Sequence, residues 1–322
     1  MGIRTSRLAL PVVLAGLMAG LLFAPQAAAG PAAGPAVGPG AGGLRAAPVV
    51  PVDTTAGYLV YDRTARRIVA QSAATTRFRS ASLVKLLIAL DYLQGRTSVS
   101  AADQKMLDSM LRSSDDAAAS TLWVRRGYEQ VVVRMVRLIG LVDTAPPTDR
   151  RYWGYTAVSA ADVVRIYNYL LDRATPFARN LILGDLERST QCAVDGFDQS
   201  FGIPRAVSGT RAVKQGWSGY GSAPARPCVE GRVTSPPDPA SRQAAEEAPQ
   251  AMADSRPTAL AAPALDLSRR AMHTSGLVDS RRRVVVVLTL SPKTKSFEAQ
   301  SSTITSITRT LRDEAAATAA RR

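Results

Sequence analysis

Two short β-prone runs, residues 56–61 and 67–71, open the patterned part of the chain, and the polar stretch 62–66 between them reads as a hairpin turn. From Ser82 the period changes: Leu83, Leu86, Leu87, Leu90 and Leu93 form the stripe of a buried or amphipathic helix. Helical patterns continue over 101–110, 116–126, 128–139 and 160–171. After Phe201-Gly202-Ile203-Pro204 the texture returns to strand at 212–217, 272–277 and 283–290, and a closing helix over 298–319 carries Ile304, Ile307 and Leu311 along one side. This order predicts an α+β architecture. Strands from both ends of the chain join in one antiparallel sheet flanked by helices, with an all-helical lobe of about 82–204 inserted and a cleft between lobe and sheet.

Outside this patterned region the chain changes character. Arg4 and Arg7 precede an apolar run over 8–24, and Ala27-Ala28-Ala29 supplies small residues for cleavage, so 1–29 reads as a signal peptide of the general secretory route. Pro11 and Gly16 interrupt a run barely long enough to span, so no transmembrane span is expected after its removal. No cysteine lies near the cleavage site, which argues against a lipid anchor and for a secreted, extracytoplasmic protein. Residues 30–52 form a Gly/Pro/Ala-rich tether, 53–319 the folded domain, and 229–270 a disordered insertion on its surface. Cys192 and Cys228 either pair in an oxidising compartment or stay as buried thiols.

Composition narrows the chemistry. With 40 Lys+Arg against 26 Asp+Glu the 322-residue chain carries a formal charge of +14. The arginines are scattered and no basic motif is interleaved with aromatics, so nucleic acid is not an expected partner; anionic cell-envelope polymers are. One histidine, His273, and two cysteines leave a zinc site dependent on carboxylates, so neither metal nor cofactor is expected. His273 reads as a packing or rim residue rather than a catalyst.

Ser82-Leu83-Val84-Lys85 is the chain's only Ser-x-x-Lys. Placed where the leucine stripe begins, it sets a hydroxyl in the first helical turn and an amine one turn later on the same face. The helix dipole favours a developing alkoxide, and a neutral amine in reach can take its proton. Two further strings follow: Ser114-Asp115-Asp116 before a helix, and Lys214-Gln215-Gly216 inside the strand at 212–217. In this order the three resemble the motifs of the class A β-lactamase and penicillin-binding family, Ser-x-x-Lys, Ser-Asp-Asn and Lys-Thr/Ser-Gly. The resemblance runs from about 56 to 318, less the insertion.

It implies a β-lactamase/penicillin-binding-like fold with Ser82 as nucleophile, Lys85 as its base, Ser114 passing a proton to the leaving nitrogen and Lys214 supplying charge for a substrate carboxylate. It further implies an oxyanion hole from the backbone N–H groups of Ser82 and Trp217, with Asp116, Gln215, Gly216 and Trp217 beside the ligand, a β-lactam or a peptidoglycan-derived peptide.

Three departures qualify that picture. Asp116 stands where the family has asparagine, so a donor becomes an acceptor-only anion that holds Lys85 in its charged form. Gln215 replaces a hydroxyl residue. From 131 to 186 there is no glutamate, although class A β-lactamases use one to activate the water that clears the acyl-enzyme; only Asp143 and Asp149, in the loop 141–153, offer substitutes. The sequence therefore leaves two readings. The first is an exported serine hydrolase or acyltransferase that forms an acyl-enzyme at Ser82. The alternative is a catalytically impaired envelope-binding protein on the same fold.

Overall fold

The computed structural model describes residues 47–231 and 265–320. The expected leader, the tether as far as 46 and the stretch 232–264 of the expected insertion lie outside the described residues. All elements below belong to the compact unit Ala41–Arg322.

The hairpin forms as read: β1 (Thr55–Asp62) pairs antiparallel with β2 (Arg67–Ser72). The last three long strands, β5 (Ala212–Ser218), β6 (Arg270–Val278) and β7 (Arg283–Ser291), extend the same sheet. Its order is β2-β1-β7-β6-β5, antiparallel throughout. Because β1 lies against β7, everything between β2 and β5 is an insertion into the sheet's connectivity. The unbroken valine run of β7 has a physical reason in its two covered faces. Val284, Val286 and Leu288 pack with the helical lobe, while Val285 and Val287 pack with Ile304, Ile307 and Leu311 of α8 (Phe297–Ala320).

Within the lobe, α1 (Lys85–Leu93) is buried along its whole length, as its leucine stripe requires. Around it lie α2 (Ala101–Arg112), α3 (Asp116–Arg125), α4 (Gln130–Ile139) and α5 (Ala160–Asp172). The sequence reading lacked two helices, α6 (Pro176–Glu187) and the single turn α7 (Ile203–Ala206). It also lacked a ribbon in which β3 (Phe78–Arg79) pairs with β4 (Ala157–Val158). Strands of two residues carry no period to detect. That ribbon matters to the cleft, because it ties the segment entering Ser82 to the loop preceding α5, with the Ser80 N–H donating to the Thr156 carbonyl at 2.7 Å. The two cysteines form a disulfide, Cys192–Cys228. No helix among the described residues is long and apolar enough to cross a membrane.

Candidate active site

Ser82 stands in a 3₁₀ turn, Ala81–Val84, that leads into α1, rather than in the first α-helical turn as its stripe suggests. Residues three apart eclipse in a 3₁₀ turn, so Ser82 and Lys85 still start on one side. The turn is entered through Ala81 at φ +46°, a left-handed conformation that costs an alanine free energy and occurs where surroundings enforce it. Part of that enforcement comes from β5. At Gly216 a Cβ would come within 3.2 Å of both the Ser80 carbonyl and the Ser82 nitrogen, so any larger residue would press the strand a few tenths of an ångström away from the Ser82 turn. Ser82 is 6% exposed, and its hydroxyl makes no hydrogen bond among the described residues.

Lys85 and Lys214 are buried and meet at one hydroxyl. Lys85 Nζ donates to Ser114 Oγ at 3.2 Å, and Lys214 Nζ donates to the same oxygen at 2.9 Å. Ser114 is itself left-handed, at φ +57°, which turns its carbonyl as well as its hydroxyl toward Lys85; Nζ donates to that carbonyl at 2.6 Å. The third Lys85 donor goes to Asp116 Oδ1 at 2.5 Å. An ammonium has three donors and no acceptor, so Lys85 is satisfied here without Ser82. The indole of Trp153 covers it, its centre 5.0 Å from Nζ. Burial pushes Lys85 below the usual lysine range, and the Asp116 carboxylate pulls the other way without cancelling it. The charge-holding expected of Asp116 is therefore present but outweighed by desolvation. Lys214 is pushed well below its ordinary value by burial and by the positive charge of Lys85.

Three of the residues expected to carry the chemistry, Lys85, Ser114 and Lys214, thus meet at the Ser114 hydroxyl, while Ser82 stands one turn before Lys85 with its backbone nitrogen against Gly216. The expected ligand-lining set divides. Asp116, with a side chain 68% exposed, lies beside Lys85, and Gly216 lies against Ser82. Gln215 is a correction: strand alternation sends its side chain to the opposite face from Lys214 and Gly216. There its amide nitrogen donates to the Phe201 carbonyl and its oxygen accepts from Thr274 Oγ at 2.7 Å, which spends the carboxamide on packing rather than on a ligand. The indole nitrogen of Trp217 donates to Asp195 Oδ2 at 3.1 Å.

Asp195 and Trp153 are the site residues that sequence reasoning missed. Asp195 Oδ1 also accepts from the Phe197 N–H at 3.2 Å, and its carboxylate lies within electrostatic reach of both lysines and of Asp116. Burial pushes Asp195 upward, with the hydrogen bonds opposing. A signal existed: Asp195-Gly196 lies three residues past Cys192, inside the loop that the disulfide closes. Trp153 opens a short 3₁₀ turn, Trp153–Tyr155, in the loop where a water-activating carboxylate was sought. Gly154 of that turn sits against Ala81, where an added Cβ would lie 3.7 Å from the Ala81 Cα. The segment facing the Ser82 turn therefore presents an indole. Asp149 is bound to Arg151, and Asp143 accepts from Ser159 Oγ at 2.8 Å, so both proposed substitutes are committed elsewhere.

His273 is buried in the sheet, its Nε2 2.8 Å from the Arg79 carbonyl and its Nδ1 accepting from the Thr289 N–H at 3.2 Å. It packs, and takes no part in the cleft.

No family profile matches the chain. A protein named "Putative lipoprotein LppW", from Mycobacterium tuberculosis and Mycobacterium bovis, is 41% identical over 171 residues, 51% of this chain and 54% of that protein. The chain thus spans about half the length of the curated relatives it matches. Among solved structures, PBP-A superposes with a TM-score of 0.56 at 13% identity, covering 83% of this chain and 92% of that one. The class A β-lactamase of Mycobacterium abscessus superposes with a TM-score of 0.53 at 16% identity, covering 81% and 94%. A PBP-A variant of similar overlap, TM-score 0.55 at 13% identity over 83% and 92%, is an acyl-enzyme complex with penicillin G. The fold is that of class A β-lactamases and PBP-A, in a highly divergent sequence.

Proposed function

We propose that the chain is an extracytoplasmic serine acyl-transfer protein in which Ser82 forms an acyl-enzyme with β-lactams or peptidoglycan-derived peptides and releases it slowly. The observation that carries this is the Ser114 hydroxyl held between two buried lysine amines beside the Ser82 turn. In the proposed step the Ser82 oxygen attacks the carbonyl carbon while its proton passes to a neutral Lys85, and the bond to the leaving nitrogen breaks as Ser114 protonates it. Ser114 is then resupplied from the lysine pair. Desolvation, which lowers the lysines, favours the neutral amine that this step needs. Slow release is supported by the loop at 141–153, whose Trp153 lies over Lys85 while Asp143 and Asp149 are bound to other partners.

The test is covalent labelling of the purified protein with a fluorescent penicillin. A label that is lost in Ser82→Ala supports the acyl-enzyme; an unlabelled wild type overturns it. A chromogenic cephalosporin then separates a slow acylator, which shows a burst near one equivalent, from a β-lactamase, which turns over continuously.

A second reading is favoured by one feature, the commitment of all three Lys85 donors to groups other than Ser82. On that reading the protein binds envelope polymers without chemistry, its +14 charge drawing it to anionic wall material and the 229–270 segment engaging a partner. Salt-sensitive binding to anionic wall polymer by a wild type that takes no label would select it. The extracytoplasmic placement rests on the leader-like N-terminus, the disulfide and the lipoprotein name of the relatives.

A further inference from the structure

The expected role of Lys214 is to receive a substrate carboxylate, yet the charges around it are arranged against one. Asp116 already neutralises Lys85 through a 2.5 Å contact while most of its side chain stays exposed. Asp195 is fixed by the Phe197 N–H and by the indole of Trp217, the residue that follows Gly216 on β5. From there it interacts electrostatically with both lysines. The position that a ligand's anionic end would seek, close to the lysine pair and along β5, is supplied with an anion by the protein itself. Lys214 is buried and its Nζ already donates to Ser114 Oγ and to the Gln215 carbonyl, which leaves it little to offer another. Arg79, a buried arginine at this end of the sheet, donates to the carbonyls of Ser218, Asp266 and Arg269 and is committed there.

We infer that Asp116 and Asp195 set the specificity of the Ser82 cleft, selecting ligands whose polar end is an ammonium or a neutral amide over those that end in a free carboxylate. The inference rests on the cleft assigned above and names its substrate class: amino-bearing or amidated acyl donors, such as a wall peptide with a free side-chain amine or a capped terminus. Asp195 is a specificity residue here, and it stands outside the proton path of the acyl-transfer step. Two unit charges a few ångströms apart at a protein surface interact strongly enough to change affinity by tenfold or more.

The test uses two thioesters with one acyl group, the first with a mercaptoacetate leaving group ending in a carboxylate and the second with a thiocholine leaving group ending in a quaternary ammonium, which has no free amine to take the acyl group from sulfur. Calorimetric binding to Ser82→Ala needs no acylation. The expected result is that the thiocholine ester binds at least about tenfold more tightly, and that adding Asp195→Asn removes most of that gap. Asp116→Asn, at an exposed side chain, gives the same reduction should Asp195→Asn fail to fold. Equal affinities, preference for the mercaptoacetate ester, a gap unchanged by both substitutions, or no binding of either ester overturns the inference. Thiol release by the wild type is read separately. If release is absent while the binding gap is present, the acyl-transfer reading fails and the charge selectivity stands.

Discussion

Asp116 governs how far Lys85 is from being a base. The lysine is pulled down by burial and up chiefly by this carboxylate, with smaller upward contributions from Asp195 and Asp115, so removing the Asp116 charge strengthens the net downward influence. Asp116→Asn is expected to shift the pH profile of penicillin acylation to lower pH and to raise the rate at neutral pH several-fold, because a larger share of Lys85 is then neutral. Rate constants for labelling between acidic and alkaline pH check this; a fall in rate, or an unmoved profile, contradicts the placement of Asp116 against the amine. The chemistry-bearing residues at this site were legible in the sequence because their order and spacing are fixed by the mechanism. Their directions were less so. The two-residue period of a strand puts Gln215 on the face away from Lys214 and Gly216, which takes it out of the cleft. Asp195 belongs to no motif, and only the folded loop brings it beside Trp217.

At the scale of elements, the strongly periodic segments were read within a residue or two of their ends, apart from α1, which starts three residues after the stripe does, and segments without a period were not read at all. The helix α6 carried a start signal in Thr175-Pro176, whose threonine hydroxyl accepts from the Ala178 N–H, but no strong apolar stripe. The pairing of β3 with β4 depends on a contact between distant parts of the chain, which local pattern cannot express. The disulfide is the tertiary tie with the clearest consequence. It fixes the segment around Cys228, whose N–H donates to the Gly196 carbonyl at 2.8 Å, onto the loop that carries Asp195. Opening a closed loop of 36 residues removes about 4 kcal/mol on the chain-entropy account. The Cys192→Ser, Cys228→Ser double variant is expected to lose about that much stability in urea denaturation. It should also weaken the charge selectivity of the cleft, because Asp195 loses its tether; unchanged stability in the variant argues against that entropic contribution.

For the whole molecule, the single histidine is one group that sets the pH range of stability. His273 joins three strands: it lies on β6, its Nε2–H donates to the Arg79 carbonyl of β3, and its Nδ1 accepts from the Thr289 N–H of β7. Only the neutral ring satisfies both bonds, and burial pushes its pKa down from 6.5 to about 4. Between those two values the unfolded chain binds a proton that the folded one refuses. The stability from this group is therefore complete above pH 6.5 and is lost as the pH falls toward 4, by about 3 kcal/mol at 1.36 kcal/mol per unit. Asp185, pushed up to about 6 by burial and by Asp108, works with the opposite sign, since its folded form holds a proton that the unfolded chain has released. Wild-type stability alone therefore mixes the two, and a difference between proteins isolates the histidine. His273→Asn is expected to be less stable than wild type at pH 7.5 and to lose less on acidification, so that the two urea-unfolding free energies converge toward pH 4.5. Parallel curves through that range mean that the ring is not held neutral by the sheet.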